Sequence, residues 1–291
     1  MTECAASNAI EVGDLLKSAA RRLAHLPSAR LDAELLLAHV LGCDRVALLR
    51  DSDHAVDGAS RAAFETLVGA RAQERPLAQL RGSQEFWSLT LRVNEHVLVP
   101  RRETELLVAT ALEKLSRTAP VMLADLGTGS GAIALALGRE LPQATIIALD
   151  RSDAALAVAR DNRAHHKVAN VFLLQGAWLG SFREGSFDVI LANPPYVEIG
   201  DPRLRETGLR YEPLMALAAG IDGLDALSAI AAQAPRALVE GGWLMLEHGA
   251  TQGAAVRELL LAAGLTAITT LTDLAELDRV TIGRKGVTAD G

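Results

Sequence analysis

Two cysteines in 291 residues, Cys4 and Cys43, with no motif spacing argue against a disulfide-stapled scaffold or a cysteine-based metal site, so they read as buried or incidental thiols and no metal is expected. Aromatic residues are equally scarce, at 3% against 49% hydrophobic residues overall. The core must therefore be built mainly from Ala and Leu, and the composition is that of a packed globular protein rather than a disordered one. No apolar run approaches the roughly 20 residues that span a bilayer. The first residues carry Glu3, Glu11 and Asp14 before any long apolar segment, unlike the basic start and apolar stretch of a signal peptide. A cytoplasmic protein with no membrane partner is expected. A basic excess is also missing: the net charge is -7, which counts against naked DNA or RNA as a partner. Arg101, Arg102, Arg203, Arg205 and Arg210 are either a local basic patch or solvated surface charges.

What is present is a helical segment followed by a strand–helix alternation. Leu15, Leu16, Ala19, Leu23 and Leu26 form one helical stripe, a second helix opens at Pro27-Ser28 and stops at Gly42, and Ser60 stands where it can cap a third through Phe64, Leu67, Val68 and Ala72. His25, His39 and His54 are scattered and suit packing or exposure. Alternation at Leu89, Leu91 and Val93, a break at Asn94-Glu95 and the run Val97–Val99 predict a β-hairpin. Strands are then expected near 121–126, 144–149, 170–174, 187–192, 243–247, 266–271 and 279–283 with helices between most of them, which predicts an α/β fold with a doubly wound, largely parallel sheet of seven strands. The expected domains are a helical bundle over 1–83, a hairpin linker over 84–100 and the sheet domain over 101–291.

Chemistry concentrates where ligands bind in such sheets, beyond the carboxyl ends of strands. After the apolar run Phe187 to Ala192 comes Asn193-Pro194-Pro195-Tyr196. The Asn193 side-chain oxygen and the Pro194 carbonyl can accept the two N–H groups of a planar amino group, the paired prolines stiffen the loop, and Tyr196 offers a flat, polar-tipped wall. After the run ending in Leu126 comes Gly127-Thr128-Gly129-Ser130-Gly131, whose glycines permit a sharp turn and close approach to a ligand. The spacing is G-x-G-x-G rather than the G-x-G-x-x-G of dinucleotide sites. Asp150 ends the next apolar run and can accept ribose hydroxyls or cap the following helix, although Ser152 is also placed to cap it. Trp178 follows the third strand and reads as a core residue as readily as a site residue. Glu247-His248-Gly249 reads as a strand end with a structural role.

This ordered set resembles the class I, Rossmann-like methyltransferases that use S-adenosyl-L-methionine to methylate exocyclic or amide nitrogens. Val99-Pro100-Arg101-Arg102-Glu103-Thr104-Glu105 is similar to the P-R-P-E-T-E signature of the release factor glutamine methyltransferases, and Arg210-Tyr211-Glu212-Pro213 to their R-[YF]-E-P segment. The likeness runs from Arg30-Leu31-Asp32-Ala33-Glu34 to Asp278-Arg279-Val280. It implies N5 methylation of the glutamine in the Gly-Gly-Gln loop of class 1 peptide chain release factors, with no sequence-specific nucleic acid partner. Implied cofactor residues are Gly127, Thr128, Gly129, Ser130, Gly131, Asp150, Trp178 and Asn193, with Asn193, Pro194, Pro195 and Tyr196 on the substrate. Two positions depart from the pattern: Ala177 replaces a usual acidic residue, and Arg102 a usual proline. The competing readings are glutamine methylation of a ribosomal protein, adenine-N6 methylation of nucleic acid, and a cofactor-binding partner of the ribosome or of a release factor that has lost activity.

Overall fold

The computed structural model describes residues 10–206 and 208–287, and the chain divides into two compact units, Met1–Gly82 and Ser83–Gly291. The first unit contains β1 (Ile10–Glu11), α1 (Val12–Arg22), α2 (Ala29–Leu41), α3 (Arg45–Arg50), β2 (Ala55–Val56), α4 (Gly58–Ala72) and α5 (Leu77–Arg81). Leu15, Ala19, Leu23, Leu36, Leu37, Phe64 and Val68 close its core, as the helical stripes predict, while Leu16 is only partly buried. Gly42 ends α2 at φ 64, in the left-handed region that favours glycine. The cap of α4 is Asp57 rather than Ser60: its carboxylate accepts from the Ala59 and Ser60 amides, so Ser60 lies inside the first turn. The two-residue strands and the short α3 and α5 are too brief to show periodicity in the sequence. Cys43 is a free, exposed thiol, not a buried one, and Cys4 lies outside the described residues.

In the second unit β3 (Ser83–Phe86) and β4 (Leu89–Arg92) make an antiparallel hairpin. Its turn is Trp87-Ser88, both at positive φ (48 and 59), so the hairpin closes before Asn94, and Val97–Val99 forms no strand. Phe86, Leu89 and Leu91 are buried in a core of this unit. Then follow α6 (Glu105–Lys114), β5 (Met122–Leu126), α7 (Ala132–Glu140), β6 (Thr145–Asp150), α8 (Asp153–His166), β7 (Val171–Gln175), β8 (Phe187–Ala192), α9 (Arg203–Glu206), α10 (Asp225–Ala237), β9 (Leu238–Glu247), α11 (Gly253–Ala262), β10 (Thr266–Thr272) and β11 (Asp278–Arg284). The seven-stranded sheet runs β10-β11-β9-β8-β5-β6-β7. It is parallel from β9 to β7, and β11 is antiparallel to both of its neighbours. Alternate strand residues face opposite cores: Leu123, Val189 and Met245 pack with α6 and α7, and Ala124, Ile190 and Leu244 with α10 and α11. This is the doubly wound α/β architecture. No helix among the described residues is long and apolar enough to cross a membrane.

Candidate active site

Parallel register brings the strand tips into line, with Leu126 paired to both Leu149 and Ala192, and Ala192 to Leu246. The residues that follow, Gly127, Asp150, Asn193 and Glu247, therefore emerge at one edge of the sheet. A cavity there is lined by Gly127, Thr128, Gly129, Ser130, Asp150, Ala177, Trp178, Asn193 and Pro195. Gly131, Pro194 and Tyr196 do not line it. Gly131 is the N-cap of α7 at φ 85, and Pro194 is buried beneath the wall. Tyr196 packs into the apolar core of the second face and turns its hydroxyl to Glu247 Oε1 at 3.3 Å.

The glycine loop is held by side chains rather than by composition alone. Gly127 and Gly129 turn at φ 73 and 55. Asp150 Oδ2 accepts the Gly129 amide at 2.9 Å, and its Oδ1 accepts the Ser152 amide at 2.9 Å. Ser152 caps α8 through the Ala155 amide, so Asp150 braces the loop. A carboxylate offers about four acceptor sites, leaving lone pairs for a diol. Asp125, fully buried, accepts Thr128 Oγ1 at 2.6 Å and the Ala134 amide at 3.2 Å through Oδ2. Burial, with the Asp150 charge adding to it, pushes the Asp125 carboxyl up to about 6 against those hydrogen bonds. On α8, Asn162 donates to the Ser130 carbonyl and exchanges two hydrogen bonds with the Arg92 backbone, tying loop to hairpin. Trp178, at φ 52, stands beside Gly127, where an added Cβ would lie 3.9 Å from the ring.

Asn193 has the opposite economy. Its Nδ2 donates to Thr104 Oγ1 at 3.1 Å, whereas its Oδ1 is buried with no hydrogen-bond partner. A buried amide oxygen left unsatisfied costs about 1–3 kcal/mol, and a ligand N–H would recover it. The site thus has a preformed acceptor at the cavity wall and a glycine cradle braced by Asp150, the combination expected for a small nucleoside-bearing cofactor beside a planar nitrogen.

Further residues complete the lining. His96, Val97, Leu98, Met215 and Ala216, which the sequence did not single out, line the cavity together with Pro100, Thr104 and Pro213 of the two resemblance segments. Glu212 joins these walls: its carboxylate accepts the Val99 amide at 2.8 Å and pairs with Arg101. The two resemblance segments around Pro100 and Glu212 are thus halves of one clasp, a pairing visible only in three dimensions. Glu105 begins α6 and accepts the Trp87 amide at 2.8 Å. The arginine cluster is largely engaged: Arg101 with Glu212, Arg203 with Asp201, and Arg210 over the Tyr211 ring.

Comparison with known proteins accords with this geometry. The family described as PrmC N-terminal domain matches residues 14–82, and that described as methyltransferase small domain matches residues 102–205. The chain is 49% identical over 255 residues to a release factor glutamine methyltransferase of Xylella fastidiosa, covering 88% of this chain and 93% of the relative. It is 46% identical over 258 residues to the protein of that name from Pseudomonas aeruginosa, covering 89% and 93%. The corresponding Escherichia coli K12 protein is 40% identical over 269 residues, covering 92% and 97%. Among solved structures, a methyltransferase from Pyrococcus furiosus aligns with TM-score 0.53 at 16% identity, over 79% of this chain and all of that one, a likeness of fold.

Proposed function

We propose, from the premise that this chain belongs to the release factor glutamine methyltransferase family, that it transfers a methyl group from S-adenosyl-L-methionine to the side-chain nitrogen of a glutamine in peptide chain release factors. The single observation that carries the chemistry is the buried, unpartnered Oδ1 of Asn193, a residue of the cavity lining. When bound, S-adenosyl-L-methionine supplies an electrophilic methyl group on a sulfonium sulfur. Gly127 to Ser130 and Trp178 would hold it, with Asp150 on the ribose hydroxyls. Ala177, exposed at the wall, carries no side-chain acceptor, so an adenine amino group there would rely on backbone.

An amide nitrogen is a poor nucleophile because its lone pair is delocalised. Asn193 Oδ1 accepts one of its N–H groups, which helps to fix the carboxamide plane and the face presented to the donor. As positive charge develops on nitrogen this acceptor binds it more tightly than in the ground state. The nitrogen becomes acidic enough to lose its proton to water. The Gly-Gly-Gln loop of class 1 release factors is the proposed segment, and the helical unit, Met1–Gly82, the proposed recognition domain. A cytoplasmic setting suits such a substrate.

Asn193→Ala is expected to slow single-turnover methyl transfer about a hundredfold or more, roughly 3 kcal/mol of barrier, with the modified atom mapped by mass spectrometry on release factor, ribosomal protein and nucleic acid offered separately. Near-normal transfer by the variant, or modification of either alternative in preference to release factor, would refute the reading.

A further inference from the structure

We propose that Gln252 is a positioning residue for methyl transfer, pinning the Asn193-Pro194-Pro195-Tyr196 loop so that Asn193 keeps its place in the cavity lining. The proposal rests on Asn193 being the acceptor for the substrate nitrogen and adds what holds it there. Gln252 stands at the N-terminus of α11, on the turn that follows β9. Its side chain meets three separate backbone segments. Oε1 accepts the Gly249 amide at 2.9 Å, while Nε2 donates to the Tyr196 carbonyl at 3.1 Å and to the Asp222 carbonyl at 3.3 Å. A primary amide has two N–H donors and one oxygen, so both protons are used and the orientation of the group is set. An ionised glutamate of the same length could take the Gly249 amide but could donate to neither carbonyl.

A pin at Tyr196 bears on Asn193 because the chain between them is stiff. Pro194 and Pro195 have ring-fixed φ, and the residue before each proline is confined to extended backbone. A shift of the Tyr196 carbonyl is therefore passed on to Asn193 rather than absorbed between them. Other contacts of the loop fit this role. The Tyr196 hydroxyl meets Glu247 at the end of β9, so the turn from Glu247 to Gln252 holds Tyr196 at both ends. Gly223, at φ 73, comes so near the Tyr196 carbonyl that an added Cβ would lie 2.3 Å from its oxygen and 2.8 Å from Gln252 Nε2. That approach is open only to a residue without a side chain, and it brings Asp222 within reach of the same amide. Just beyond Tyr196, the Val197 amide donates to the Leu217 carbonyl at 2.8 Å and the Ala219 amide to the Val197 carbonyl at 2.9 Å, which joins the loop to the segment carrying the lining residues Met215 and Ala216. Gln252 does not itself line the cavity, so it acts through the loop and not on a ligand.

The test is single-turnover methyl transfer to release factor at saturating cofactor and substrate, beside cofactor affinity by calorimetry. Gln252→Glu should transfer about tenfold more slowly per folded molecule than the parent, with cofactor affinity unchanged within about twofold. Combined with Asn193→Ala, it should slow that variant by less than about twofold further, because residues that act through one another lose non-additively. A glutamine that only stabilised the fold would lower the denaturation midpoint and leave both rates alone. Gln252→Met, which keeps the length and removes the polar atoms without adding charge, gives the same reading if Gln252→Glu does not fold. Transfer by these variants within about twofold of the parent overturns the proposal, as does a further loss of about tenfold on the Asn193→Ala background or a rate loss matched by an equal loss of cofactor affinity. If Asn193→Ala is slow and the Gln252 variants are not, the glutamine reading stands and only this inference falls. If Asn193→Ala transfers normally, both fall.

Discussion

The two units bury acidic side chains in opposite ways. In the helical unit Asp32 lies 2.7 Å from Arg71, and Glu34 takes Arg30 and Arg45 at 2.9 and 2.6 Å. Burial raises the Glu34 carboxyl, but the hydrogen bonds and charges of Arg30 and Arg45 outweigh it and hold the group below its usual range. In the sheet unit Asp125 and Glu247 have no ion pair within 4 Å among the described residues, each has an oxygen without a partner, and burial moves both upward. Paired buried charges are the mark of scaffolding, whereas Asp125 and Glu247 are held without a counter-ion behind the strand ends that carry the cavity, which neither of them lines. Glu212, tied to Arg101, shows that the sheet unit also uses the scaffold pattern where two walls need joining.

The comparison breaks first if the helical pairs are not structural. Arg71→Met removes the only arginine hydrogen-bonded to Asp32 among the described residues, and the acid is 3% exposed. Stranding a buried charge costs about 3–5 kcal/mol, so chemical denaturation should show a loss of that order with methyl transfer per folded molecule retained. A loss below about 1 kcal/mol would place Asp32 among surface pairs instead.

The pH dependence of stability sharpens the contrast through its sign. Asp125 sits at about 6 in the fold against a usual 3.8. A carboxyl raised on folding contributes stability that is present below its unfolded value and lost as pH rises through the folded one. Asp125→Asn should therefore remove a decline on the order of 2–3 kcal/mol between about pH 4 and pH 7. The raised Glu247 and the lowered His248 are common to both proteins and cancel in the difference. For Glu34, lowered in the fold, the sign reverses: its stabilisation is present above the unfolded value and is lost as pH falls through the folded one. The stability difference between variant and parent should change with opposite sign as pH rises, over about pH 4 to 7 for Asp125→Asn and below the usual 4.5 for Glu34→Gln, and parallel curves would dissolve the distinction.

The parallel strands were legible because strands buried on both faces read as continuous apolar runs, and Phe187–Ala192 is the case in point. β9 begins at Leu238, earlier than its apolar run suggests, since Gly241 at φ 74 and a register shift against β8 interrupt the pattern. The hairpin turn was obscured because Trp87-Ser88 occupies a conformation that usually calls for glycine or asparagine. At the site, the glycine loop, Asp150 and Asn193 are each local to one strand end and were visible as such. Thr104 is 89 residues from Asn193 and Glu212 is 113 from Val99. No periodicity or motif spacing encodes those partnerships. Glu247 read only as a strand end because its hydrogen-bond partner, Tyr196, is 51 residues away.

The smallest effect probes redundancy within the paired pattern. Arg30 is 83% exposed and reaches Glu34 from the preceding turn of α2, while Arg45, on α3 and 49% exposed, binds the other carboxylate oxygen. Removing Arg30 leaves Glu34 hydrogen-bonded and charge-compensated, and a solvated arginine gains little from one such contact. Arg30→Ala should therefore cost less than about 1 kcal/mol, and the difference from the parent should shrink further when denaturation is repeated in about 1 M salt, where the screening length falls to about 3 Å. A loss approaching that of Arg71→Met would mean that Arg45 does not satisfy Glu34 alone. The buried acid would then need both cations, and the helical unit would sit closer to the uncompensated condition of the buried acids in the sheet unit.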